Sequence, residues 1–263
     1  MHNEHTSLDP VFNWHVQDFT LGEWSQVAER GLIAGLGLEL AFPIREVRSR
    51  VHYEDGAQRP YVPPVPDLHH RNETLLGPGD ARLLLHLGRS HGALDLGLRA
   101  GASLPLGRTE DNPFELGRRG IPHQHLQFGT GTWDPILGLA LGGRIGKTSL
   151  EASVLARWSL YQNSHGYRAG ARYSLGARAN RPVISSWFGF GGLDLGREEA
   201  ETWDGKIEEE GNLGRTDLLA AFGLGRPVDA VGSFSLTAEI PLVTDATGAQ
   251  VDYPVLISLG WSR

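Results

Sequence analysis

The fold is decided by residues 148–160, which carry the sequence TSLEASVLARWSL. Apolar side chains occupy every second position of this stretch, from Leu150 through Val154 to Leu160. Serine, glutamate and arginine fill most of the positions between them. A strand places alternate side chains on opposite faces, so this pattern predicts a β-strand with one apolar and one polar face.

The same alternation recurs along most of the chain. Its apolar frame holds no charged residue, although charged residues make up 21% of the sequence. Twelve segments show it: residues 12–16, 32–42, 47–53, 81–87, 94–104, 137–141, 150–160, 167–177, 184–195, 218–224, 234–242 and 251–261. In one of them the frame shifts at Gly191 and Gly192, which predicts a β-bulge there. The chain is therefore predicted to be all-β, with antiparallel strands in a single domain spanning residues 1–263.

Composition excludes several other classes of protein. The chain of 263 residues contains no cysteine, so disulfide frameworks, thiolate metal sites and cysteine nucleophiles are excluded. Its formal net charge of -7 provides no basic surplus to neutralise phosphates, so no nucleic-acid partner is expected. No stretch approaches the ~18 apolar residues of a membrane-spanning helix. Residues 1–10 have neither the basic nor the apolar region of a secretory leader, and they are predicted to form an N-terminal tail.

Connection lengths separate a membrane barrel from a soluble sandwich. Short links are predicted at residues 43–44, 89–92, 146–147, 180–182 and 226–230. Links of a second kind, three of them long, are predicted at residues 20–30, 54–78, 107–132, 163–166, 197–213 and 244–248. The two kinds alternate along the chain, as in outer-membrane barrels with tight periplasmic turns and longer outer loops. The longest segments also fit the ~9–11 residues of a tilted membrane-spanning strand. We therefore predict a closed antiparallel transmembrane β-barrel of about 12 strands, with ten or fourteen strands, or a soluble β-barrel, as the alternatives.

Several glycine-rich motifs follow one another in a set order. They are Gly77-Pro78-Gly79-Asp80, residues 101–107 (GASLPLG), residues 129–135 (GTGTWDP), residues 163–170 (NSHGYRAG), Ile240-Pro241-Leu242 and Gly248-Ala249-Gln250. In order and spacing they resemble the transporter-like outer-membrane barrels grouped with the meta-pathway of phenol degradation, over residues 31–261. The resemblance implies a Gram-negative outer-membrane barrel that passes a small, hydrophobic or aromatic solute. Two features differ from that family: no leader peptide is predicted within residues 1–10, and Ser262 and Arg263 follow the terminal aromatic residue.

The alternation assigns individual side chains to the two faces of such a barrel. The polar frame predicts lumen-lining positions for His86, Asp95, Arg99, Glu151, Arg157, Arg168, Arg172 and Arg178. The apolar frame predicts lipid-facing positions for Leu96, Leu98, Val154, Trp158, Tyr173, Phe222, Ile257 and Trp261. Aromatic residues near strand ends fit the interfacial girdles of outer-membrane barrels. Outer-membrane lipid is therefore a predicted partner.

The arginines of two predicted neighbouring strands form a local cluster. Counted from the short link between these strands, Arg157 and Arg172 are predicted to lie roughly opposite each other, with Arg168 at a similar depth. Like charges this close repel unless acids compensate, and Glu151 and Asp95 are the acids expected nearby. Two interpretations stay open: a fully paired network that stiffens the barrel, or unpaired arginines that attract anions.

The polar residues provide no catalytic or cofactor signature. The sequence contains no G-x-S-x-G elbow, H-E-x-x-H pair or Walker loop, so neither enzymatic activity nor a cofactor is expected. His123 and His125 would share a face on a strand, but no third ligand is spaced to complete a metal site. Two functions remain: a passive outer-membrane channel for a small-molecule solute, and an accessory barrel with a closed lumen that transports nothing.

Overall fold

The computed structural model describes residues 14–55, 57, 59–62, 72–184, 186–228, 232–248 and 252–262. The predicted tail at residues 1–10, and Phe12 of the first predicted strand, lie outside the described residues. The secondary-structure elements are β1 (Trp14–Ile33), β2 (Leu36–Glu54), β3 (Glu73–Pro78), β4 (Ala81–His91), β5 (Leu94–Leu104), α1 (Pro113–Arg118), β6 (Asp134–Ile145), β7 (Thr148–Arg157), β8 (Tyr167–Arg168), β9 (Arg172–Ile184), β10 (Trp187–Glu198), β11 (Thr202–Trp203), β12 (Asn212–Val228), β13 (Gly232–Gly248) and β14 (Leu256–Ser262). The part of the chain that the structure describes contains no helix long and apolar enough to cross a membrane.

The long strands belong to one antiparallel sheet of 12 strands. Its order is β1-β2-β4-β5-β6-β7-β9-β10-β12-β13-β14, and β3 pairs with β2 next to β4. Strands that follow one another in the sheet therefore also follow one another in the chain, an arrangement that antiparallel hairpins build directly. β8 and β11 form a separate two-stranded sheet. The all-β, antiparallel prediction is confirmed, and β1 and β14 are the two edges of the main sheet.

The links between strands alternate in length, as predicted, but the link predicted at residues 244–248 is wrong, because these residues belong to β13. Two-residue links connect β4 to β5, β6 to β7 and β9 to β10. Longer connections join β2 to β3, β5 to β6, β7 to β9 and β10 to β12 at the opposite end of the sheet. We call these two ends the short-turn end and the long-loop end.

Two predicted links near the N-terminus are wrong, because both lie inside strands. Residues 20–30 belong to β1, and the turn predicted at residues 43–44 falls within β2. The two strands pair continuously and turn at Gly35, whose φ of 78° suits a tight hairpin. Polar side chains on both faces of residues 20–30 hid β1 from the apolar alternation. Pro43 has no N–H to donate, and it lies between the pairing of Ile44 with β3 and that of Ala41 with β4, where no ladder donor is required. Its carbonyl accepts a hydrogen bond from the Gly79 N–H at 2.9 Å.

The two faces of the sheet are inverted relative to those of a soluble protein. Large apolar side chains of one face are exposed, among them Leu85 at 48%, Leu96 at 54%, Leu139 at 57%, Val154 at 43% and Ile257 at 69%. Polar side chains of the other face are buried, among them Glu39 at 6%, Ser103 at 1%, Asp134 at 0% and Asp217 at 8%. We call the first the outer face and the second the inner face. A contiguous exposed apolar face indicates contact with an apolar partner or medium.

The predicted bulge at residues 191–192 is wrong. β10 keeps its register with both β9 and β12 through these two residues. The apolar frame changes there because Phe188 and Phe190 lie on the inner face, opposite glycines of β12. A Cβ added at Gly223 would lie 2.0 Å from the Phe190 ring. A Cβ at Gly225 would lie 2.1 Å from the Phe188 ring, so both glycines provide the space that the rings occupy.

We expect Val154→Arg to destabilise the protein in a lipid bilayer by ~2–4 kcal/mol, because the outer face would hold the guanidinium in hydrocarbon. Val154 lies in β7 and is 43% exposed. Leu160→Arg, in a loop outside the sheet, is the matched control and should change the free energy of unfolding by less than ~0.5 kcal/mol. Urea unfolding in phospholipid vesicles measures both variants. Equal losses would contradict a lipid-facing outer face.

Candidate functional site

A cavity of about 430 Å³ lies on the inner face, towards the long-loop end. Its wall includes residues of β1, β2, β4, β5, β6, β7, β9, β10 and β12, so the sheet curls around it. Both signs of charge line this wall: the arginines are Arg45, Arg82, Arg157, Arg172, Arg197 and Arg215, and the acids are Glu23, Asp80, Glu198 and Asp217. The inner face thus encloses a polar and highly charged space.

A row of charged side chains crosses four neighbouring strands of the cavity wall. The register places Arg157 of β7 directly opposite Arg172 of β9, as counted from the sequence, followed by Glu198 of β10 and Arg215 of β12. The guanidinium of Arg172 donates a hydrogen bond to the Glu198 carboxylate at 2.9 Å. Arg215 donates to Asp217 on its own strand. These acids compensate the repulsion that neighbouring arginines would otherwise suffer.

The acid nearest Arg157 is not one of those predicted. The buried carboxylate of Asp134, on the neighbouring strand, lies 3.9 Å from Nε of Arg157. Glu151 is the register partner of Arg178, and Asp95 begins the inner face of β5; both lie nearer the short-turn end. The expectation that Glu151 and Asp95 compensate Arg157 is therefore wrong, because strand register separates them along the strand direction.

Arg168 is separated from the other arginines of the predicted cluster. The strand predicted over residues 167–177 is broken, since Arg168 belongs to β8 and pairs with β11, whereas β9 begins at Arg172. Gly170 lies at the break, where a Cβ would approach the Glu199 carbonyl oxygen to 1.9 Å. The Arg168 side chain is exposed and lies outside the cavity wall. Its predicted place beside Arg172 is wrong.

A second charged cluster lies nearer the short-turn end. Arg178 donates to Asp194 at 3.1 Å and to Glu239 at 3.5 Å. A further cavity, of about 560 Å³, has Asp95 and Glu151 in its wall. Charged side chains therefore line the inner face along much of its length.

The glycine-rich motifs of the sequence meet at one buried carboxylate. Asp80 accepts hydrogen bonds from the Gly107 N–H at 2.9 Å, and from the N–H and hydroxyl of Thr130 at 2.7 and 3.0 Å. Gly107 and Gly129 cross so closely that a Cβ on Gly107 would lie 2.6 Å from the Gly129 Cα. The Asn163 amide donates to the Thr130 carbonyl at 3.1 Å. Asp80 thus fastens the loop between β5 and β6 to the sheet.

Residues 127–130 consequently lie against the inner face and line the cavity. We call them the inward segment. Arg45 holds this segment from β2: its guanidinium donates to the Phe128 carbonyl at 2.9 Å and to Glu23 at 2.9 Å. Alternation could not reveal this arrangement, because it reports strand faces and says nothing of where a loop folds. The motif Gly77-Pro78-Gly79-Asp80 is the sequence feature that could have indicated this loop contact.

An apolar cluster covers the long-loop end of the cavity. The rings of Tyr167 and Trp203 lie 4.8 Å apart, and Phe114 of α1 packs edge-on against Trp203 at 6.3 Å. Glu201 lies beside this cluster and accepts a hydrogen bond from the Trp203 indole at 3.1 Å. Burial raises the pKa of the Glu201 carboxyl and of the Tyr167 hydroxyl. The loops therefore form a packed cover.

The histidines form no metal cluster in the part of the chain that the structure describes. The rings of His123 and His125 lie 5.1 Å apart, and His125 packs edge-on against Phe114. His86 is the register partner of Arg99 on the inner face. Its buried Nε2 has no hydrogen-bond partner among the described residues.

The remaining predicted positions divide between the two faces as follows. On the inner face lie His86, Asp95, Arg99, Glu151, Arg157, Arg172 and Arg178. Exposed on the outer face lie Leu96, Leu98, Val154, Tyr173, Phe222, Ile257 and Trp261. Trp158 follows β7 and packs edge-on against Tyr173 at 6.4 Å. Contact of these faces with a lumen and with lipid stays a prediction.

Comparison with known proteins identifies a similar fold. No protein-family model matches the chain, and no curated protein matches it. The crystal structure of an outer membrane channel from Pseudomonas putida is similar, with a TM-score of 0.61 and 16% identity over 94% of this chain and 83% of that one. At this identity the likeness shows the fold alone, and the chain shares the antiparallel architecture of an outer membrane channel.

We expect Arg172→Ala to lower the free energy of unfolding by ~1 kcal/mol, since it removes a partly exposed pair with Glu198. Arg168→Ala, in the two-stranded sheet of β8 and β11, is the control and should change the free energy of unfolding by less than ~0.5 kcal/mol. Urea unfolding in vesicles compares the two variants, and bilayer reversal potentials should be unchanged in both. A shifted reversal potential with unchanged stability in Arg172→Ala would show that this arginine sets ion preference instead.

We expect Asp80→Asn to release the inward segment, because it weakens three hydrogen bonds to a buried carboxylate at a cost of about 2 kcal/mol. Amide hydrogen exchange at Gly107 and Thr130 should accelerate, while exchange in β12 stays as in the unaltered protein. Asp111→Asn, at an exposed loop position, is the control. Unchanged protection of Gly107 in Asp80→Asn would refute the fastening role.

Proposed function

We propose that this protein is an outer-membrane β-barrel that acts as a passive channel for a small solute in a Gram-negative bacterium. The observation that carries the proposal is the inverted sheet, whose outer face exposes apolar side chains while its inner face holds charged side chains around a cavity. Lipid would account for the outer face, and a solute path for the inner face. The similar fold of an outer membrane channel supports the same conclusion.

The proposal includes closure of the sheet into a barrel. The strand edges β1 and β14 would otherwise present unpaired N–H and C=O groups to hydrocarbon, at several kcal/mol for each group. A barrel of about 12 strands lies between the filled barrels of eight strands and the open pores of 16. Its lumen would be narrow, which suits a small solute.

A hydrophobic or aromatic solute is the class favoured by the resemblance to the barrels grouped with the meta-pathway of phenol degradation. The apolar part of the cavity wall, which includes Phe128, Ile136 and Leu155, is compatible with such a solute. We propose outer-membrane lipid and this solute as the partners. We expect no enzymatic activity, no cofactor and no binding of nucleic acid.

An accessory barrel that transports nothing is the second candidate. It is favoured by the inward segment, which Asp80 and Arg45 hold within the curl of the sheet. The ion pair between Arg172 and Glu198 occupies the same space. Conduction of ions across a bilayer distinguishes the two functions.

We expect the purified protein to conduct ions in a planar lipid bilayer. Ala140→Trp should lower the single-channel conductance at least twofold, because residue 140 belongs to the wall of the larger cavity. Leu139→Trp, on the exposed outer face of the same strand, should leave conductance unchanged. Absence of conductance in the unaltered protein, with a folded barrel by its far-ultraviolet circular dichroism, would favour the accessory barrel.

A further inference from the structure

We propose that the cavity beside the inward segment binds the carboxylate of a small organic monoanion, held by Arg82, Arg157 and Ser103. The inference rests on the proposed function and deepens it, because it names the chemical class of the solute. The observations behind it are polar groups of the cavity wall that have no hydrogen-bond partner among the described residues.

Most charged groups of the wall already have partners within the protein. Arg45 is bonded to Glu23 and the Phe128 carbonyl, Arg172 to Glu198, Arg215 to Asp217 and Arg197 to the Thr216 hydroxyl. The Asp80 carboxylate accepts three hydrogen bonds from the loop between β5 and β6. These groups maintain the structure and leave little capacity for a ligand.

Arg82 is the exception. Its side chain belongs to the cavity wall, yet it has neither an ion-pair nor a hydrogen-bond partner among the described residues. Its register partner across the sheet is Ser103, which lines the same cavity and is 1% exposed. The Ser103 hydroxyl has no hydrogen-bond partner in the described part of the chain. A buried hydroxyl without a partner is unfavourable, and a bound acceptor would satisfy it.

Arg157 adds a second guanidinium with unused donors. Asp134, the register partner of Ser103 on the other side, holds one carboxylate oxygen 3.9 Å from Nε of Arg157. Its other oxygen accepts a hydrogen bond from Thr132 at 2.6 Å. Asp134 is fully buried, and its negative charge at this distance offsets the positive charge of Arg157. The terminal nitrogens of Arg157 make no hydrogen bond within the described residues, although its side chain lines the cavity.

These groups together select a carboxylate. Arginine binds a carboxylate in planar, bidentate geometry, and a serine hydroxyl can donate to the same group. Arg82, Arg157 and Ser103 line one cavity and offer these donors to a single ligand. The wall carries six arginines and four carboxylates, and the buried Asp134 adds a fifth carboxylate, so one negative charge balances the site. A neutral solute would leave Arg82 unpaired, and a cation would be repelled. Phe128, Ile136 and Leu155 provide apolar contact for the organic part of the ligand.

The test is equilibrium dialysis of labelled benzoate against the detergent-folded full chain. Benzyl alcohol, a neutral molecule of similar shape, is the ligand control. We expect saturable binding of benzoate, at least tenfold weaker binding to Arg82→Gln, and binding of benzyl alcohol at least tenfold weaker than that of benzoate. Arg89→Gln, on exposed residue 89 of the same strand, should bind benzoate like the unaltered protein. Arg82→Lys keeps the charge without the planar donor pair, so it should recover only part of the affinity.

The outcomes separate the site from the channel, because dialysis requires no conduction. Saturable benzoate binding that depends on Arg82 in a protein without conductance would keep the site and reject the channel. Conductance without saturable benzoate binding would overturn the carboxylate site and leave the channel in place. Equal affinity for benzoate and benzyl alcohol, or equal losses in Arg82→Gln and Arg89→Gln, would also overturn it. Ser103→Ala changes no charge, so it tests the site independently if an arginine variant fails to fold. It should weaken benzoate binding severalfold.

Discussion

Hydrogen bonding between neighbouring strands fixes which side chains share a face, and the rest of this structure depends on it. Once β7 pairs with β6 and β9, Val154 and Arg157 are held on opposite faces. The apolar side chains then form a continuous outer surface, and the charged ones are brought close enough to need compensation. The pair between Arg172 and Glu198 is one result of that crowding.

Charge on the inner face is arranged by both strand register and loop contacts. Register aligns Arg157, Arg172 and Glu198 across neighbouring strands. Loop contacts add Asp80 and Arg45, which bind the inward segment through backbone groups. Paired strands therefore form most of the cavity wall, and the inward segment lies against the inner side of that wall.

Much of this arrangement follows from sequence patterns, and the exceptions have physical causes. Alternation predicted the strand faces because side chains in a paired strand have a period of two. It missed residues 20–30 because polar and apolar side chains are mixed on both faces of that strand. It placed Arg168 and Arg172 on one strand because a break at Gly170 does not disturb the period of two. The acids that compensate the arginines depend on register between strands, which alternation within one strand does not contain. Asp80 and Ser103 were missed because their importance lies in contacts between segments that are distant in the chain.

Pairing between successive strands has a consequence for the order of assembly. Each hairpin can close through a short stretch of chain, so the sheet can grow by local steps. The inward segment cannot dock in this way, since Arg45 of β2 and Asp80 before β4 are both needed to hold it. Docking of this loop therefore follows formation of the strands that receive it. A newly assembled molecule would therefore pass through a stage in which the cavity has no inward segment within it, and its interior would be wider than in the mature protein.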